Sequence, residues 1–365
     1  MGKLDGNLGP ISGVAPEGLF FRKFLIAGWI IQPNTKGIKR MVNRNIIYIT
    51  TVIIIIILLS GAFLYINSKT SNKADTQGII SVTDDEGYTT NLTAVPQRII
   101  SLAPACTQIL FAIGDGGKVV GVTDYDNYPY NFSAWIAAGN MTSIGGYSTP
   151  NMEAIASLHP DLIVSDSIND ALLPNMRNLG YKVIVVNPTS IAGVYQDINL
   201  VGKATGAETA AAKVVANMTS TISNIEAKIA AANIATKPKV YYEIWSDPLM
   251  STGSTTWIND VIDKAGGTNI FGNVTQQYPT VSSETVVSLN PDVILLPTNM
   301  GTGTPFYGSV AAVKAQAGWS IINAVKNNRI YVIDQDLFAE PGPRVADQVY
   351  AVAQCLYPQL FNSTS

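Results

Sequence analysis

Tyr147-Ser-Thr-Pro-Asn-Met-Glu153-Ala-Ile-Ala-Ser-Leu-His-Pro160-Asp161-Leu-Ile-Val164 is written a second time, with mostly aliphatic exchanges, as Tyr278-Pro-Thr-Val-Ser-Ser-Glu284-Thr-Val-Val-Ser-Leu-Asn-Pro291-Asp292-Val-Ile-Leu295. Each residue of the first copy has its partner 131 positions further on. Two copies are too few for a solenoid, which stacks at least three units. The duplication therefore points to a chain built from two similar lobes. Asn151 and Ser282 have the chemistry of helix N-caps, and Glu153 and Glu284 fall in the first turn, where the helix dipole favours a carboxylate. Pro160 and Pro291 stop the helix, because the residue before proline avoids the helical region. The apolar runs that follow read as short buried strands. Each copy is thus a loop, a short helix, a proline stop and a strand, the grammar of an α/β unit.

Outside the copies, the same grammar continues. Gly78–Thr93 alternates apolar and polar residues around Asp84–Gly87 and reads as a hairpin. Strands are expected at residues 98–104, 119–122, 181–186, 240–245 and 329–333, and helices at 106–113, 257–265 and from Arg344 to near Cys355. Between Ala207 and Ala232 the apolar residues recur every three or four positions without Pro or Gly, which predicts one amphipathic helix of roughly 39 Å. It falls midway between the copies and so connects the lobes.

Charge is unevenly placed. Residues 1–77 carry nine Lys/Arg against three Asp/Glu, and residues 78–365 carry fourteen against twenty-three, a balance of −9. That acidity argues against a nucleic-acid partner. Two cysteines and one histidine are too few for a protein-ligated zinc or iron site. His159 fills the slot of Asn290 and reads as a turn residue, and no spacing supports a catalytic pair with Cys106. No enzyme and no cofactor are expected. The 47% hydrophobic content excludes a disordered chain.

Ile46 to Ile66 is free of charge and, at 1.5 Å per residue, spans about 30 Å, the thickness of a hydrocarbon core. Lys36, Lys39, Arg40 and Arg44 precede it, so the N-terminus is expected inside and the rest outside. An uncleaved anchor is favoured over a signal peptide, whose apolar region is shorter. A start at Met41 would place Met-Val-Asn-Arg directly before this run, so residues 1–40 are read as an extension of the gene model. The sequons at Asn91, Asn131, Asn140, Asn217, Asn273 and Asn362 are candidate glycosylation sites on the outer side. The expected organisation is an N-terminal segment 1–45, a transmembrane anchor 46–66, a linker 67–77, an N-terminal lobe 78–205, an interlobe helix 206–236 and a C-terminal lobe 237–365.

Pro96-Gln-Arg-Ile-Ile-Ser-Leu-Ala-Pro104, the loop Gly-Val-Thr-Asp-Tyr125-Asp-Asn-Tyr-Pro129, Glu153 and Glu284 each with its Pro-Asp, the central helix and Pro-Gly-Pro-Arg344 together resemble the substrate-binding proteins of ABC importers for cobalamin, iron–siderophore complexes and haem. The resemblance covers about residues 78–360. It implies two Rossmann-like α/β lobes bridged by a single long helix, with ligand held between them and a permease dimer, with its ATPase subunits, as partner. It also implies that Glu153 and Glu284 dock onto the permease. Tyr125, Tyr147 and Tyr278 match ligand-facing aromatic positions of the cobalamin binders, two of which are tryptophan there. Trp245 lies beside such a position, and Tyr128, Phe338 and Arg344 complete the ligand candidates. Some relatives pair a cysteine at the position of Cys355 with one at the position of Ala265, so both thiols here are expected to be unpaired. With a single histidine in the chain, any metal is expected to arrive already chelated. The order of preference is cobalamin, then a neutral ferric hydroxamate, then haem. A cell-surface binding protein with no transport role is the rival reading.

Overall fold

The computed structural model describes residues 79–298 and 309–361. The expected anchor 46–66, the linker, the Met41 start and Asn362 lie outside them. Among the described residues no helix is long and apolar enough to cross a membrane.

The first half holds a parallel five-stranded sheet. Its strands are β3 (Ile99–Ser101), β4 (Val119–Val122), β5 (Thr142–Ser143), β8 (Leu162–Asp166) and β9 (Val183–Val186), in spatial order β5-β4-β3-β8-β9. The second half holds β10 (Lys239–Tyr242), β13 (Thr268–Asn269), β14 (Val293–Pro297) and β15 (Ile330–Ile333), parallel and in order β13-β10-β14-β15. Without the edge strand β5, the two orders superpose strand for strand. The central strands are buried on both faces, as parallel sheets covered by helices require. Three small hairpins decorate this frame: β1 (Ile80–Thr83) with β2 (Thr89–Leu92), β6 (Gly145–Gly146) with β7 (Thr149–Pro150), and β11 (Trp245–Ser246) with β12 (Leu249–Met250).

Helices α1 (Pro104–Ala112), α2 (Phe132–Ala137), α3 (Met152–Ser157) and α4 (Leu173–Asn178) cover the first sheet. The chain then leaves through α5 (Ile191–Thr205) and α6 (Glu208–Ala231). The second half adds α7 (Trp257–Lys264), α8 (Ser283–Leu289), α9 (Val310–Ala315), α10 (Asn323–Lys326), α11 (Gln335–Phe338), α12 (Val345–Leu356) and α13 (Pro358–Phe361).

The duplicated stretch keeps its offset in three dimensions. Helices α3 and α8 start at Met152 and Ser283, and strands β8 and β14 start at Leu162 and Val293. Asn151 and Ser282 cap the helices as expected, accepting from Ala154 N and Thr285 N at 3.1 Å each. His159 and Asn290 both adopt the left-handed backbone, with φ 46° and 49°. The aspartate after each proline then ties the unit to the first strand of its sheet. Asp161 accepts from the backbone N–H groups of Gln97 and Arg98 at 2.8 and 2.9 Å, and Asp292 from that of Lys239 at 2.9 Å. The cations at the head of those strands return the contact: Arg98 donates to Leu158 O at 2.7 Å and Lys239 to Leu289 O at 3.2 Å. The Pro-Asp dipeptide is therefore a structural clasp, made twice.

The connection between the sheets differs from expectation in having two helices. The long helix α6 is present, but α5 precedes it, and Gly202 of α5 packs directly on Ala211 of α6. Ile191, Val194, Ile198 and Val201 form the buried face of α5.

Asp197, on the same helix, is 1% exposed, and neither of its carboxyl oxygens has a hydrogen-bond donor, with the like charge of Asp85 of the β1–β2 turn nearby. Burial, with the Asp85 charge second, pushes its carboxyl up to about 9. The folded state thus holds a proton that the unfolded chain releases near pH 4. This contribution to stability is full below about pH 4 and is lost progressively as pH rises towards 9. Denaturant melts at pH 5.5 and 8.5 should show this loss, and Asp197→Asn should flatten it and be the more stable chain at pH 8.5. Parallel curves for the two proteins would contradict the raised carboxyl of Asp197.

Candidate functional site

Open parallel sheets present their ligand-binding loops at the carboxyl ends of the strands. Here the loops from both sheets converge on one cavity of about 560 Å³. From the first half come Pro104 and Ala105 after β3, Tyr125 and Asn127 after β4, Tyr147 at the tip of the β6–β7 hairpin, Asp166 to Ile168 after β8, and Val186 to Thr189 after β9. From the second half come Thr256 and Trp257 at the start of α7, Gln277 and Tyr278 before α8, and Gln335, Asp336 and Ala339 to Pro341 after β15.

Three of the expected ligand residues are thereby brought together. Tyr125 and Tyr147 meet edge to face, with ring centroids 5.2 Å apart and planes at 86°, a favourable aromatic geometry. The Tyr125 loop is held by Asp126, which accepts from the backbone N–H of Thr123 at 2.8 Å and from its hydroxyl at 2.6 Å. Tyr278 approaches from the opposite sheet. Its loop pairs through main chain with residues 251–254, Gly253 N donating to Gln277 O at 2.8 Å and Ser251 N to Pro279 O at 3.1 Å.

This pairing is why position 253 is glycine. A Cβ there would collide with the carbonyl oxygens of Gln276 and Val274, which are main chain and cannot rotate aside. Gly253→Ala should destabilise the protein by about 2–3 kcal/mol and weaken ligand binding through Tyr278. A thermal melt unchanged from wild type would show that this loop is free to shift.

Trp245, Phe338 and Arg344 do not line the cavity. Trp245 sits in the β11–β12 hairpin and donates its indole N–H to Asp247 O at 2.6 Å. Phe338 is 2% exposed and packs in the core with Tyr242, because the apolar face of the four-residue helix α11 turns inward. Arg344 lies with its guanidinium over the Tyr128 ring at 4.2 Å, so this pair joins the two halves at the rim. Asn127 reinforces it, donating to Asp336 Oδ2 at 3.0 Å.

All three acidic cavity residues escaped sequence reasoning, Asp166, Asp336 and Glu340, as did the polar lining of Asn187, Trp257, Gln277 and Gln335. Glu340 reaches from the second half to the backbone N–H of Ala105, in the first turn of α1, a helix with no side-chain cap of its own. Burial, together with Asp126 and Asp166, pushes its carboxyl up to about 8. Burial likewise raises Asp166 to about 6 and Asp336 above its ordinary value. No Lys, Arg or His is among the described lining residues.

Glu153 and Glu284 are both exposed in the first turns of α3 and α8, away from the cavity lining. Glu284 is held below the usual carboxylate range by its own backbone N–H and by Ser282. Asn91, Asn131, Asn140, Asn217 and Asn273 are exposed. Cys106 is fully buried, and burial drives its thiol well above the ordinary value, whereas His159 sits in an exposed turn, so the two form no nucleophile–base pair. Both cysteines are free. The described residues contain no cluster of three His, Cys, Asp or Glu able to hold a metal ion.

Two like parallel sheets closing on one aromatic-lined cleft define a two-lobed solute-binding architecture. The chain belongs to the periplasmic binding protein family, whose pattern it matches over residues 99–337. It is 32% identical over 313 residues to YvrC of Bacillus subtilis, named an ABC transporter substrate-binding lipoprotein, covering 84% of this chain and 95% of that one. It is 27% identical over 295 residues to a cobalamin-binding protein of Halobacterium salinarum, covering 78% and 76%. Among solved structures it resembles a possible iron-binding periplasmic solute-binding protein of Staphylococcus epidermidis, at 28% identity and TM-score 0.62, covering 72% of this chain and all of that one.

Proposed function

We propose that this protein is the substrate-binding component of an ABC importer, held at the outer face of the cytoplasmic membrane by residues 46–66, and that it captures cobalamin. One observation carries the reading: Tyr125, Tyr147 and Tyr278, supplied by both sheets, line one cavity of about 560 Å³. Flat aromatic faces on opposite walls suit a broad macrocycle, and a mostly preformed cleft suits capture rather than chemistry. The single histidine of the chain lies outside the described cavity lining, which holds no cysteine either, so the ligand brings its own metal. The lobes are residues 78–205 and 237–365, with the helical segment 206–236 joining them. Glu153 and Glu284, one from each copy of the duplication, present like charges to the two subunits of a permease dimer.

The test is titration of the purified full-length chain with cyanocobalamin, ferrioxamine B and haemin, read by tryptophan fluorescence. Saturable quenching by cyanocobalamin at micromolar concentration or below is expected. Preference for ferrioxamine B would move the ligand to hydroxamate siderophores, and preference for haemin would move it to haem. No response to any of the three would overturn the importer reading.

A further inference from the structure

The cavity wall states what the rim of its ligand must carry. Its three acidic groups, Asp166, Asp336 and Glu340, stand on both lobes, and among the described residues no cation lines the cavity beside them. Arg344, whose charge favours the ionised forms of Asp336 and Glu340, lies outside the lining, over the Tyr128 ring and within 3.5 Å of Asp336 O. The other polar lining is rich in carboxamides: Asn127, Asn187, Gln277 and Gln335. These carboxamides carry both amide N–H donors and carbonyl acceptors, so a bound molecule that complements both gains affinity.

We infer that the cavity selects a chelate of neutral or positive net charge whose periphery is built of carboxamides, and rejects the same skeleton when that periphery is carboxylate. This rests on the reading that the cavity takes a metal chelate and narrows its class. A primary carboxamide offers both complements at once, N–H donors to the lining carboxyl and amide oxygens and a carbonyl oxygen to the amide N–H groups of Asn127, Asn187, Gln277 and Gln335. A carboxylate rim offers acceptors only. It would lose its water on entry and find carboxyl groups in place of cations, which favours neither its binding nor theirs. Burial already raises Asp166 and Glu340, and a further negative charge beside them would raise them again.

Matched corrinoids separate charge from hydrogen bonding. The probes are dicyanocobinamide with its amide rim, dicyanocobyrinic acid with the same ring and a carboxylate rim, and the heptamethyl ester of that acid, which is neutral but has no rim N–H. The full-length chain should bind the amide at least tenfold more tightly than the ester and at least 100-fold more tightly than the acid at pH 7.5. Asp166→Asn combined with Glu340→Gln, isosteric changes that keep the shape of the wall, should tighten acid binding at least tenfold relative to amide binding. An acid bound within tenfold of the amide by the wild type would overturn the selection while leaving ligand capture intact. An ester bound as tightly as the amide would overturn the hydrogen-bonding part. Failure of all three, and of cyanocobalamin, to bind would overturn the importer reading and this inference with it.

Discussion

Replacing Glu153 and Glu284 together by arginine should abolish uptake of the ligand in whole cells while leaving its affinity for the purified chain within about twofold of wild type. Both carboxylates are exposed, each in the first turn of a short helix whose cap is a neighbouring residue, Asn151 or Ser282. Neither lines the cavity. Their equivalence under the 131-residue offset places one anionic group on each half, the arrangement that a two-fold permease with paired cations would meet. Charge reversal turns attraction into repulsion at both contacts, and like-charge juxtaposition at an interface costs several kcal/mol. Either single reversal should leave partial uptake. Loss of ligand binding by a double variant with a normal melting curve would remove the docking role from these residues.

The second large effect is expected on the ligand side. Tyr125→Ala with Tyr278→Ala removes one aromatic face from each half of the cleft. Such contacts contribute about 1.5 kcal/mol each, so the double variant should lose roughly 100-fold in affinity. The pattern of additivity is as informative as the size. Tyr125 and Tyr278 stand on different halves, so their effects should add. Tyr125 and Tyr147 touch edge to face, so the first of that pair to be lost also frees the second. Isothermal titration of the three singles and two doubles measures this. Equal non-additivity in both doubles would mean that the cleft wall rearranges as a unit.

Sequence alone determined a good deal of this protein, where the cause is local. Asn151 and Ser282 declare caps because their side-chain oxygens satisfy first-turn N–H groups whatever the rest of the chain does. His159 and Asn290 occupy matched left-handed positions because each follows its helix and precedes a proline. The hairpin at 80–92, the strand at 119–122 and the helix starting at Trp257 were legible for the same reason, since alternation and helical spacing are written along the chain. Helix α5 was missed although Ile191, Val194, Ile198 and Val201 carry its apolar stripe. Gly193 and Gly202 interrupt that stripe in the sequence, whereas in the fold Gly202 packs directly on Ala211 of α6.

Only the tertiary structure decided what the cavity contains. Phe338 and Glu340 are two residues apart, yet one is core and the other meets the N-terminus of α1 across the cleft. No periodicity of a four-residue helix could assign those directions. Asp166 ends a strand that reads as wholly buried, and its carboxyl faces the cavity because β8 is central in a sheet whose loops open towards the other half. The duplicated stretch thus determined that there are two like halves and where their tyrosines and glutamates stand. The strand order of the two sheets, which depends on contacts far apart in sequence, decided that the tyrosines line one cavity, among carboxyls that the sequence left scattered.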